Sequence, residues 1–121
     1  MREWIIIGSV FAALSVLIGA FGAHGLKSKI SSEDLIVFEI GVRYQMYHSI
    51  GLIFLGIIGF NFPNEIIKIS GYLFCSGILL FSGSLYILAI TNLRWLGAVT
   101  PIGGFCFLLG WLILAFNVYR S

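Results

Sequence analysis

Two histidines, His24 and His48, are the side chains of this 121-residue chain best suited to exchange protons near neutral pH. His48 lies in the stretch Tyr44-Gln45-Met46-Tyr47-His48-Ser49. On a helix, Tyr44 and His48 at i,i+4 and Gln45 and His48 at i,i+3 line one face. That face offers a phenol, a carboxamide and an imidazole, the groups of a hydrogen-bonded network or a proton relay. It does not suit hydrolytic chemistry, because no apolar run holds a carboxylate and no H-E-x-x-H spacing occurs. Cys75 and Cys106 stand singly in apolar runs, without a C-x-x-C partner, and read as small core hydrophobes. No catalytic residue, metal site or cofactor is expected, and the chain is not expected to be an enzyme.

The elements that position these residues follow from composition. The chain is 60% hydrophobic and 10% charged, with mean hydropathy +1.06. A soluble domain carries about 25% charged residues, so the solvent here must be largely lipid. The net charge of +2 is spread singly along the chain, which gives no nucleic-acid patch. Four runs, at about 4–23, 44–60, 69–90 and 96–116, carry no Asp, Glu, Lys or Arg. Each approaches the ~20 apolar residues that a spanning helix needs. Arg2 and a cleavage-like Ala20-Phe21-Gly22, small at its first and third positions, resemble a signal peptide, but the run is too long and Glu3 sits in its basic region. A retained span is expected.

The fold class expected is an all-α membrane protein: four transmembrane helices in an up-down-up-down bundle, one domain over residues 1–121. Helix two starts early, near Ser32. Ser31 and Asp34 have capping-box spacing, and Glu39 and Arg43 make an i,i+4 pair. Its first turns are expected in the interface, with Leu35, Ile36 and Phe38 facing lipid. Asn61-Phe62-Pro63-Asn64 and Thr91-Asn92-Leu93-Arg94 read as short turns. Ser15, Gly19 and Ala23 form a small-xxx-small stripe for close helix contact.

Placed by depth, the polar side chains gather toward the end bearing the 1–2 and 3–4 connections, here the loop end. The candidate cluster is His24, Tyr44, Gln45, His48, Ser84, Tyr86 and Thr100, with Arg43 less securely included. A buried polar group in lipid needs a partner, and Tyr86, Ser84, Thr100 or His24 could supply one to His48. The cluster reads either as a cavity open to the loop end or as interhelical hydrogen bonding. Tyr44 also suits interface anchoring, and His24 a solvated position. Pro101, Gly103 and Gly104 mark a break or kink: helix four either begins at Pro101 or spans with a bend there. Basic residues number four at the loop end (Lys27, Lys29, Arg43, Arg94) and three at the termini end (Arg2, Lys68, Arg120), too even to set orientation.

"GAFGAHGL" at 19–26, "YQMYHS" at 44–49, "LFSGSLYIL" at 80–88, "VTPIGG" at 99–104 and the pair Gly110-Trp111 resemble, in order and spacing, the motifs of a family of small four-span membrane proteins, the domain of unknown function numbered 423. The resemblance covers nearly the whole chain. It implies an integral, multi-pass protein of the bacterial plasma membrane and no established activity; the family pattern does not require a base at Arg43. The expected partner is membrane lipid, with a second copy or another membrane protein as further candidates. The leading expectation is an accessory or lipid-interacting membrane protein. The alternative is an oligomeric transporter or channel for a small solute or protons.

Overall fold

The computed structural model describes the backbone of residues 1–62 and 64–121, and the side chains of all of these except 23, 64 and 66. Pro63 of the second expected turn, and the Ala23 side chain of the small-residue stripe, lie outside the described residues.

Four long helices run up and down. Helix α1 spans Arg2–Leu26 and α2 spans Ser32–Ile58. Helix α3 covers residues 64–91 and α4 covers Thr100–Arg120, entered through a 3-10 turn at Arg94–Ala98. Among the described residues, three helical stretches are long and apolar enough to cross a membrane: Arg2–Leu26, Ile67–Thr91 and Arg94–Arg120. The N-terminal half of α2 carries Glu33, Asp34, Glu39 and Arg43, which lowers its apolarity.

The start of α2 is as its sequence dictates. Ser31 is extended and its Oγ accepts from the Asp34 backbone N–H at 3.1 Å, with Glu33 and Asp34 at the positive end of the helix dipole. The expectation of an interfacial first segment facing lipid is corrected in part. Ile36 is exposed, but Phe38 is 3% exposed, wedged between Gly22 of α1 and the Tyr86 ring. Helix α2 is unbroken through Gly41, packed in register along α1.

The helices touch where side chains are small. On α1 against α2, a Cβ at Gly8 would lie 2.6 Å from Ser49 O. On α4 against α3, a Cβ at Gly103 would lie 2.7 Å from the Phe81 Cα and nearer still to its N. Without a hydrophobic force between helices in lipid, such approach converts dispersion and close packing into association. Of the two readings at Pro101, Gly103 and Gly104, the structure has the helix beginning there, at Thr100, and not a kink within the span. Pro101 stands in the first turn of α4, where a missing N–H costs nothing. Gly103 and Gly104 are regular helix, and Gly103 is a contact rather than a hinge. The irregular backbone lies elsewhere, in single π turns at Ile18–Gly22 of α1 and Ile78–Ser82 of α3.

The apolar core joins Trp4, Leu52, Leu55, Ile67, Phe74, Ile78, Phe107 and Leu114 toward the termini end. A smaller one, Leu85, Leu88 and Leu96, lies toward the loop end. Large apolar side chains also cover the outside, such as Ile6, Phe21, Phe54, Leu79 and Phe105.

Candidate functional site

The polar residues sit between these two cores. Gln45, mid-way along α2 and 3% exposed, is the centre. Its Nε2 donates to Phe11 O of α1 at 2.9 Å, and its Oε1 accepts from the Tyr86 hydroxyl of α3 at 2.6 Å. One carboxamide thus ties three helices, using both polar ends. Ser15 Oγ donates to the same Phe11 O at 3.0 Å, and Ser49 Oγ to Gln45 O at 2.6 Å.

His48, one turn further along α2, is 5% exposed. Its Nδ1 lies 2.8 Å from Tyr44 O, and its Nε2 lies 3.0 Å from Nε1 of Trp111 on α4. A carbonyl only accepts and an indole N–H only donates. Nδ1 therefore carries the proton and Nε2 accepts, which fixes the neutral Nδ1–H tautomer. The ring stacks on Phe107 at 3.6 Å and 10° and stands edge-on to Phe74 at 5.3 Å. Gly110 and Gly51 make room: a Cβ at Gly110 would lie 2.6 Å from the Phe74 ring, and one at Gly51 3.3 Å from Trp111.

Further bonds tie α3 to its neighbours. Ser82 Oγ donates to Gly41 O of α2 at 2.7 Å, and Ser70 Oγ to Gly110 O of α4 at 2.8 Å. The Ser84 and Thr100 hydroxyls are 2.6 Å apart, joining α3 to α4. Each also has a carbonyl in reach, Phe81 O at 3.0 Å and Leu96 O at 3.3 Å. Among the described residues, no buried side-chain nitrogen or oxygen is left without a partner.

The single expected cluster thus resolves into parts. Tyr44, Gln45, His48 and Tyr86 do come together, with Tyr44 half-exposed against Phe81. Ser84 and Thr100 form a pair of their own. His24 is exposed near the end of α1, about 20 Å along the helix from Phe11 at 1.5 Å per residue, and does not join them. Arg43 is exposed, 3.9 Å from Glu39, beside a 220 Å³ groove with Gly19 and Val42. The partner of His48 is not Tyr86, Ser84, Thr100 or His24 but Trp111. The pairing of Gly110 with Trp111 was its signal in the sequence: a small residue beside an indole donor on a facing helix. Ser70 and Ser82 carried a weaker signal, as lone hydroxyls within an apolar run.

Long helices with an apolar exterior, stitched inside by amide, hydroxyl and imidazole groups, define a multi-pass helical membrane protein. The chain belongs to the family described as protein of unknown function (DUF423), which matches residues 18–104. It is similar to UPF0382 membrane protein SH2409 of Staphylococcus haemolyticus, 48% identical over 120 residues that make up 99% of this chain and 98% of the relative. It is also similar to UPF0382 membrane protein YwdK of Bacillus subtilis, 44% identical over 115 residues and 94% of each chain. No solved structure matches.

Proposed function

We propose that this chain is a four-span protein of the bacterial plasma membrane that works through its outer surface, on lipid and neighbouring membrane proteins, rather than by catalysis or conduction in its interior. The fourth span is α2. Its 27 residues reach about 40 Å at 1.5 Å per residue, against a hydrocarbon core of ~30 Å. Tyr47, Ile50, Phe54 and Ile57 give it an apolar outer stripe. Its charges lie in its first twelve residues, toward the loop end.

The observation that carries this reading is the closed accounting of the polar interior. Both ring nitrogens of His48 and both ends of the Gln45 carboxamide are engaged by protein groups. A relay or a solute site needs at least one such group free to change partners. Satisfied networks in a low dielectric instead fix register and packing.

Proton flux in liposomes containing the purified chain tests this. Wild type and His48→Ala are expected to leak no faster than protein-free liposomes. Flux in wild type that is lost in His48→Ala would overturn the proposal and favour the transporter.

A further inference from the structure

A groove of about 450 Å³ opens between α1 and α3 near the termini end, lined by Glu3, Trp4, Ile7, Lys68, Tyr72 and Cys75. Its size falls within the ~300–1,000 Å³ usual for small-ligand sites. Its residues are layered by depth. Lys68, Tyr72 and Cys75 follow one another at i, i+4 and i+7 along α3, and Glu3 and Ile7 at i, i+4 along α1. Cation and carboxylate therefore lie outermost, ring donors next, and an apolar floor about 10 Å further in.

The upper groove is rich in donors and poor in acceptors. Trp4 is 7% exposed, its six-membered ring lying over Gly71, 2.6 Å from where a Cβ would stand. Its Nε1–H meets no acceptor among the described residues and, since no fully buried nitrogen there lacks one, opens to the groove. The exposed Lys68 ammonium and the Tyr72 hydroxyl likewise meet no partner among the described residues, while the Tyr72 ring stands edge-on to Trp4 at 5.4 Å. Glu3 is already paired, 2.6 Å from the Met1 amino group. The groove thus presents one uncompensated positive charge and three unanswered donor groups above an apolar floor.

We infer that this groove binds one glycerophospholipid of net charge −1, its phosphate diester on Lys68 and Tyr72, its ester oxygens at the Trp4 N–H, and an acyl chain along Ile7 and Cys75. A lipid with a cationic headgroup fits less well, because the carboxylate that would receive its ammonium is occupied. The inference rests on the surface-acting reading above, and gives that surface a lipid class and a place.

Native mass spectrometry of the full chain, delipidated in mild detergent and titrated with phosphatidylglycerol or phosphatidylcholine of the same acyl chains, tests it. Wild type is expected to retain one phosphatidylglycerol in preference to phosphatidylcholine. Lys68→Gln should weaken that retention about fivefold, the worth of one cation at a membrane surface. Trp4→Phe, which keeps a ring over Gly71 and removes the N–H, should weaken it further than an Arg120→Gln control, which should match wild type. Circular dichroism on each variant shows that the fold is kept, and Lys68→Gln serves alone if Trp4→Phe unfolds. Equal retention of the two lipids, or equal weakening by Lys68→Gln and Arg120→Gln, would overturn the groove site. Flux dependent on His48 in the same preparations would overturn the surface-acting reading instead, so the two failures are told apart.

Discussion

The bond between Tyr86 and Gln45 offers the sharpest test of what the polar interior does. Tyr86→Phe keeps the ring that lies over Gly41 and against Phe38, and removes only the hydroxyl. Gln45→Leu keeps apolar bulk and removes two interhelical bonds, at 2.9 Å and 2.6 Å. The two losses differ in kind. Phe11 O keeps Ser15 as a donor, whereas the Tyr86 hydroxyl loses its one interhelical acceptor. Side-chain hydrogen bonds between membrane helices average about 0.6 kcal/mol and reach about 1.7 kcal/mol. An unpaired buried hydroxyl adds a cost of about 1–3 kcal/mol. Gln45→Leu is therefore expected to destabilise by about 2–3 kcal/mol and Tyr86→Phe by about 1–2 kcal/mol. The double variant should cost about 1–2 kcal/mol less than their sum, because both remove the same bond. Reversible unfolding of the full chain in mixed micelles, by titration with dodecyl sulfate and read by circular dichroism, gives all three values. Effects additive to within about 0.5 kcal/mol, the ordinary scatter for independent sites, would refute the idea that this bond holds α2 to α3.

Adjacent glycines give a second test. Gly103→Ala should destabilise by about 1–3 kcal/mol, the usual cost of overpacking, because its Cβ meets the Phe81 backbone; Gly104→Ala, whose Cβ stands 3.7 Å from the Phe81 ring, should stay within about 0.5 kcal/mol of wild type. Equal effects in the same unfolding assay would contradict the crossing described here. For His48, nitrogen-15 shifts at pH 7 should report a protonated Nδ1 and an unprotonated Nε2 that moves in Trp111→Phe. An Nε2–H ring or an imidazolium would rule out the bond from Trp111 Nε1–H to His48 Nε2.

Much of the architecture was legible because lipid leaves the backbone few options. Long runs without charge must be helical, and short connections make neighbours antiparallel. The start of α2 was legible from Ser31 because its side chain satisfies a local backbone donor. What escaped depends on which residues face each other across helices, and periodicity does not carry that. Pro101, Gly103 and Gly104 share the composition of a kink, but the same glycines serve a crossing when another backbone needs the space. Trp111 has the composition of an interface anchor, but its N–H points inward because His48 lies opposite. The π turns leave no mark in composition at all. Depth was legible in part: the charge-free run begins at Tyr44, which already puts His48 about one turn inside it. Phe38 packs against Gly22, so α2 runs beside α1 from its first turns, and His48 lies deeper still.

The separation of the two histidines changes what they can mean. In one cluster open to the loop end, His24 at the rim and His48 deeper would be two stages of one proton path. Inside, His48 is held by Tyr44 O, Trp111, Phe74 and Phe107, and His24 stands exposed on another level. A relay would have to break the Trp111 bond and unstack the ring in a close-packed layer where Gly110 and Gly51 have already removed the slack. The groove between α1 and α3 has the opposite character. Its donors are unpaired, its walls come from helices whose main packing lies elsewhere, and it faces the lipid that must already be present. If the chain has a ligand, chemistry favours the place where polar groups still lack partners over the place where every one has been answered.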